Sequence, residues 1–101
     1  MIALSEAERE MVETIVKLYA TDQHYTVYVF GSRATGKSRK YSDIDLALIG
    51  EHSVSPKVSS ELAEAFDESS IPYTVDIVDG TKASERLLQQ ILLEGEMLIQ
   101  I

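Results

Sequence analysis

The sequence predicts a small α/β (α+β) domain in which three or four strands form a mixed sheet flanked by helices. Apolar segments with helical spacing alternate along the chain with segments rich in β-branched residues. The length of 101 residues suits one compact core, so we expect a single domain over residues 1–101. No segment approaches the ~20 continuous apolar residues that would span a bilayer, so we expect no membrane contact.

The first half of the chain predicts one helix and two strands. Ser5 and Glu8 form a capping-box pattern, and apolar residues then recur at helical spacing as far as Tyr19. The aromatic and β-branched segment 25–30 predicts a strand, and the apolar segment 44–49 predicts a second one. The polar loop between these strands is too short for a crossover helix, although it has room for a helical turn.

The second half predicts two further helices, a third strand and a short final strand. Ser55 and Pro56 are typical of a helix start, because proline is tolerated in the first turn. Gly95 can end the last helix. We expect the first of these helices to begin at residue 56 and to end before a breaker at 69–72. The third strand is expected at 73–78, the last helix at about 83–93 and the short final strand at 97–101.

Charge and composition exclude some classes of function. Nine basic and seventeen acidic residues give a net charge of −8, so we expect no direct binding of nucleic acid. The chain has no cysteine, which excludes disulfides and thiolate metal sites and fits a cytoplasmic location. Four of the nine basic residues lie between the first two predicted strands, where part of this cluster could face a polyphosphate: Arg33, Lys37, Arg39 and Lys40.

Two carboxylates open the second predicted strand. Asp43 and Asp45 are two residues apart, so in an extended chain their side chains point to the same side. Like charges held together are unfavourable unless a cation lies between them. Asp76 lies in the apolar third strand and can join them if that strand pairs beside the second. These carboxylates predict a site for Mg²⁺, with two ions expected, that carries a nucleotide.

Two alternatives bear on this carboxylate site. A lone pair such as Asp43 and Asp45 could simply be exposed acids at a strand start, and the third acid weakens that interpretation. Asp79 competes with Asp76 for the third position. We interpret Asp79 as a turn residue, because it follows the apolar segment and precedes Gly80.

Gly31 and Ser32 follow the first predicted strand and suit a phosphate contact. Glycine lets the backbone approach a phosphate closely, and the serine adds a hydroxyl and an anion-binding turn. The segment from Gly31 to Ser38 also matches the P-loop pattern. A P-loop runs directly into a long helix, whereas here Asp43 and a strand-like segment follow. We therefore favour the carboxylate site over a P-loop.

These residues together resemble a known signature. Gly31 and Ser32, ten intervening residues, and then Asp43 and Asp45 resemble the G-S-x10-D-x-D motif of the DNA polymerase β-like nucleotidyltransferase superfamily. The segment is similar to that of its smallest members, the minimal nucleotidyltransferases (MNT), which are the antitoxins of HEPN–MNT toxin–antitoxin pairs. The resemblance covers most of the chain from Tyr25 onward. It implies ATP as substrate, Mg²⁺ as cofactor and a HEPN toxin as partner in a hetero-oligomer.

The resemblance also implies roles for individual residues. Three carboxylates would be catalytic metal ligands: Asp43, Asp45 and Asp76. Of these, Asp76 would also help to activate the attacking hydroxyl. Gly31 and Ser32 would hold the triphosphate, and Arg33 would be a weaker nucleotide contact.

The activity implied is transfer of AMP from ATP to a hydroxyl of the partner toxin, with tyrosine as the expected acceptor. Such a transfer would silence the toxin. A second hypothesis is a non-catalytic antitoxin that masks its partner by binding. A third is a P-loop NTPase-type nucleotide-binding module.

Overall fold

The computed structural model of the protein describes residues 2–36 and 42–101. Its four strands form one mixed sheet flanked by helices, which confirms the predicted architecture. The third strand begins two residues later than expected, because only from residue 75 does it pair with the second strand. The elements in chain order are α1 Glu6–Tyr19, β1 Thr26–Phe30, α2 Ser32–Thr35, β2 Ile44–Ile49, α3 Pro56–Glu68, β3 Val75–Asp79, α4 Glu85–Glu94 and β4 Glu96–Gln100.

Serine side chains fix where three of the helices begin. The Ser5 hydroxyl accepts a hydrogen bond from the Glu8 amide at 3.1 Å, and the Glu8 carboxylate accepts one from the Ser5 amide at 2.9 Å. This is the predicted capping box. Ser55 and Ser84 cap α3 and α4 in the same manner, each accepting from an amide three residues later.

The strands lie in the order β3-β2-β1-β4. β1 pairs antiparallel with β2 and with β4, whereas β2 pairs parallel with β3 through the crossover helix α3. The parallel register aligns Asp45 with Asp76 and Leu48 with Asp79. The sheet therefore brings Asp76, and not Asp79, beside Asp45.

The main core lies between one face of the sheet and helices α1 and α3. Its strand residues include Ile44, Leu46 and Leu48 of β2, all fully buried. A smaller cluster on the opposite face joins the sheet to Leu87 and Ile91 of α4. Because side chains alternate along a strand, Asp45 and Asp76 lie on this second face. No helix within the described ranges is both long and apolar enough to cross a membrane.

Candidate active site

Gly31 ends β1 in a conformation that favours glycine. Its φ of 73° and ψ of −152° lie in a region that other residues scarcely adopt. A Cβ atom at this position would overlap Oδ2 of Asp45 and lie 3.4 Å from its Cγ. From the sequence, we predicted that Gly31 lets the backbone approach a phosphate closely. The structure shows that Gly31 also makes room for the Asp45 carboxylate.

The short helix α2 follows this glycine directly. The Gly31 carbonyl accepts hydrogen bonds from the amides of Ala34 at 3.1 Å and Thr35 at 3.2 Å. Ser32 is the first residue of this helix and is partly exposed. The loop thus contains the helical turn for which the sequence leaves room, and Ser32 directly follows the glycine that lies against Asp45.

Asp45 lies in the interior of the sheet, between Phe30 of β1 and Asp76 of β3. Partial burial raises the pKa of its carboxyl, and the negative charges of Asp76 and Asp43 raise that pKa further. The three predicted carboxylates therefore interact electrostatically. Asp43 and Asp76 are exposed, so this cluster is open to solvent on one side.

The carboxylates do not form a ready-made metal cage. Among residues 2–36 and 42–101, no three His, Cys, Asp or Glu side chains are close enough together to hold a metal ion. Like charges repel, so these oxygens have no reason to converge before a cation neutralises them. The ligand set still fits Mg²⁺, which prefers oxygen ligands. Burial, and then the charges of Asp76 and Asp43, raise the pKa of Asp45, and a bound divalent cation would favour its ionised form.

Arg33 has an environment that the sequence did not predict. It is the one buried charged side chain among the described residues, at 5% exposure. Nη1 donates to the Ala3 carbonyl at 2.8 Å, and Nε and Nη2 both donate to the Ser42 carbonyl, at 3.2 and 2.7 Å. The guanidinium carbon lies 4.1 Å from the centre of the Tyr73 ring. These contacts do not favour the predicted role of Arg33 as a nucleotide contact.

The other basic residues of the predicted cluster lie outside the described residues: Lys37, Arg39 and Lys40. The flanking segments still bear on the P-loop alternative. Helix α2 ends at Thr35 and is capped by Gly36, which has a left-handed φ of 77°, and β2 begins at Ile44. The short interval between them leaves no room for the long helix of a P-loop.

Asp79 lies three residues beyond Asp76 on β3 and has a separate function in the fold. Its Oδ1 accepts from the amide and hydroxyl of Thr81 at 2.9 and 2.8 Å, and its Oδ2 accepts from the Val54 amide at 2.9 Å. Burial alone would raise its pKa, but these hydrogen bonds outweigh burial and hold the pKa below its usual value. The sequence placed Asp79 after the third strand, whereas its backbone is the last paired residue of β3. Its side chain does stabilise the turn that follows, as predicted.

The sequence is similar to proteins of known class. A family model described as "Polymerase beta, Nucleotidyltransferase" matches residues 12–101. A probable protein adenylyltransferase MntA of Haemophilus influenzae is 43% identical over 82 residues, which are 81% of this chain and 70% of that protein. The protein adenylyltransferase MntA of Shewanella oneidensis is 35% identical over 72 residues. That match covers 71% of this chain but only about half (51%) of the Shewanella protein.

Solved structures of similar fold come from toxin–antitoxin complexes. One, described as a toxin–antitoxin with AMP-PNP, has a TM-score of 0.76 and 27% identity, covering 90% of this chain and 72% of that one. A second is described as a tri-AMPylated Shewanella oneidensis HEPN toxin in complex with MNT antitoxin. Its TM-score is 0.64 and its identity 29%, over 90% of this chain and 71% of that one.

Proposed function

The chain belongs to the polymerase β nucleotidyltransferase family, and from this premise we propose that it transfers AMP from ATP to a hydroxyl of a partner HEPN toxin. The observation that carries this proposal is the alignment of Asp45 with Asp76 on adjacent strands, beside the turn at Gly31. The relatives named protein adenylyltransferase and the structure described as a tri-AMPylated toxin support it.

Three carboxylates are proposed to hold Mg²⁺: Asp43, Asp45 and Asp76. When bound, Mg²⁺ would neutralise charge on the phosphates and stabilise the departing pyrophosphate. Gly31 and Ser32 are proposed to hold the triphosphate, since Gly31 lies against the Asp45 carboxylate and Ser32 begins the helical turn that follows it. The predicted nucleotide contact of Arg33 is left out of this proposal, because its nitrogens donate to backbone carbonyls.

Asp76 is proposed to act as the general base. β3 is an edge strand and Asp76 is exposed, so a hydroxyl on another protein can reach this carboxylate without displacing part of the fold. In the transfer, the acceptor oxygen forms a bond to the α-phosphorus of ATP while the bond from that phosphorus to pyrophosphate breaks. The hydroxyl proton passes to Asp76. We propose tyrosine as the acceptor residue.

The charge of the chain supports a protein partner rather than a nucleic acid. A net charge of −8 would favour encounter with a basic protein, and an RNA-cleaving toxin needs cations to bind its substrate. The absence of cysteine fits the reducing cytoplasm, where we propose that the pair acts.

The test compares two labelled forms of ATP. The chain, its HEPN partner and Mg²⁺ are incubated with ATP labelled on the α- or the γ-phosphate. We expect label on the partner from α-labelled ATP alone, no transfer by Asp45→Asn, and normal transfer by the control Glu64→Gln, an exposed acid on α3. Inhibition of the toxin without any transfer would support masking, and release of γ-label as phosphate would support an NTPase.

A further inference from the structure

We propose that Arg33 is a positioning residue that holds Asp43 in place through the main chain of Ser42. The inference rests on the proposed function in one respect, namely that Asp43 binds the metal. It assigns Arg33 a role in metal binding without contact to the metal or the nucleotide.

Two guanidinium nitrogens of Arg33 converge on one main-chain carbonyl. Nε and Nη2 of Arg33 donate to the Ser42 oxygen at 3.2 and 2.7 Å. That carbonyl belongs to the peptide unit that joins Ser42 to Asp43, and a peptide unit is planar. Fixing the carbonyl therefore fixes the orientation of the Asp43 amide and the position of its Cα atom. The Asp43 side chain projects from this fixed point.

The guanidinium of Arg33 is itself held on its other sides. Nη1 donates to the Ala3 carbonyl at 2.8 Å, and the Ala3 amide donates back to the Arg33 carbonyl at 2.8 Å. The Tyr73 ring stacks on the guanidinium at 4.1 Å, just before β3 begins. One side chain thus connects the N-terminal segment, the residue before Asp43 and the segment leading to Asp76.

Glu8 supplies the nearby negative charge. Its pKa lies below the usual value mainly because it accepts a hydrogen bond from the Ser5 amide, and burial opposes this effect. Tyr73 and the charge of Arg33 lower that pKa further. Glu8 thus places a negative charge on the α1 side of Arg33, although the charge of Arg33 is the smallest of these effects on the pKa of Glu8.

The geometry also explains why arginine, rather than another residue, stands at this position. Burying a cation is costly, and an apolar side chain would fill the space at lower cost if packing were the only requirement. Lysine carries one nitrogen, so it cannot donate to the Ala3 and Ser42 carbonyls in this fork geometry. Arginine is needed if the Ser42 carbonyl must be held in one orientation.

The test uses Arg33→Lys, with Arg9→Lys as the matched control. Arg9 also donates to a main-chain carbonyl, that of Leu98 at 3.3 Å, but it lies exposed on α1. Three quantities are measured: Mn²⁺ affinity in the presence of ATP by electron paramagnetic resonance, binding of a fluorescent ATP analogue without metal, and the metal concentration needed for half-maximal transfer.

We expect Arg33→Lys to weaken Mn²⁺ binding about tenfold, as loss of a group that orients a metal ligand commonly does. The half-maximal metal concentration should rise by a similar factor, kcat should recover at saturating metal, and binding of the metal-free nucleotide should not change. Arg9→Lys should match the wild type in all three measurements. Tyr73→Leu, which keeps the hydrogen bonds of Arg33 but removes the ring, should give a smaller loss of Mn²⁺ affinity.

Two results would overturn the inference. If Arg33→Lys loses affinity for the nucleotide without metal, Arg33 contacts the nucleotide directly. If Arg33→Lys and Tyr73→Leu both bind Mn²⁺ like the wild type, Arg33 only stabilises the fold. Failure of the proposed function itself would be distinguishable, because the wild-type chain would then transfer no AMP at any metal concentration, whereas the Mn²⁺ affinities of the variants could still be compared with that of the wild type.

Discussion

Replacing Gly31 with alanine should damage both the stability of the fold and the carboxylate site. Two separate features of the structure oppose a side chain here. The φ of 73° with a ψ of −152° is nearly exclusive to glycine. The added Cβ atom would also overlap Oδ2 of Asp45, which would have to move.

The size of the effect follows from these two features. A non-glycine residue in such a backbone region costs about 1–3 kcal/mol. Forcing a methyl group into occupied space costs typically about 1–3 kcal/mol more, less whatever the Asp45 side chain recovers by turning away. We therefore expect Gly31→Ala to lower the free energy of unfolding by about 2–5 kcal/mol.

The assay is urea denaturation of four variants, together with Mn²⁺ binding: Gly31→Ala, Gly36→Ala, Asp45→Ala and the double variant of Gly31→Ala with Asp45→Ala. Gly36→Ala is the matched control, because Gly36 also has a positive φ of 77° but nothing lies within 4 Å of its Cβ position. Gly36→Ala should lower the free energy of unfolding only by the cost of the left-handed conformation, about 1–2 kcal/mol. In Asp45→Ala combined with Gly31→Ala, the overlap disappears, so the double variant should be less destabilised than the sum of the two changes.

The result that would refute this reasoning is a Gly31→Ala variant no less stable than Gly36→Ala. A Gly31→Ala variant that binds Mn²⁺ and transfers AMP like the wild type would also contradict it, since it would mean that Asp45 does not need the space beside Gly31.

Three further predictions follow from the titrating groups. Asp45→Asn should raise the stability of the metal-free protein at pH 7, because the raised pKa of Asp45 means that its ionised form destabilises the fold. This gain in stability should vanish as the pH falls below the pKa values of carboxyl groups, because Asp45 is then uncharged in the wild type as well. Urea denaturation at several pH values would detect the change. Asp79→Ala should lower the free energy of unfolding by about 1–3 kcal/mol and spare AMP transfer by the folded protein. Asp76→Asn should spare the stability and abolish AMP transfer. Burial and a 2.8 Å hydrogen bond to Asp22 raise the pKa of Tyr25 to about 12, so stability should fall between about pH 10 and 12 in the wild type but not in Tyr25→Phe.

Local signals explain why the elements were predictable. The capping box of Ser5 and Glu8 and the serine before Pro56 each act over three residues, so the sequence alone locates two helix starts. The strand at 44–49 was predicted with its observed bounds, because a segment that is apolar apart from Asp45 lies between Asp43 and Gly50.

The parts that sequence did not predict depend on contacts between distant segments. The strand order and the parallel pairing of β2 with β3 follow from how α3 packs, and the Asp76 prediction was conditional on that pairing. Arg33 was assigned to the nucleotide because of the resemblance of its motif to that of the nucleotidyltransferases. Its bond to the carbonyl of Ala3, thirty residues away, has no local signature in the sequence.

The most direct test of the carboxylate site is a crystal structure of the chain with a non-hydrolysable ATP analogue and Mn²⁺, located by its anomalous scattering. We predict an anomalous peak within coordinating distance of carboxylate oxygens of Asp43, Asp45 and Asp76, with the phosphates beside Gly31 and Ser32. A nucleotide bound elsewhere, or a metal ion without these carboxylates as ligands, would contradict the account.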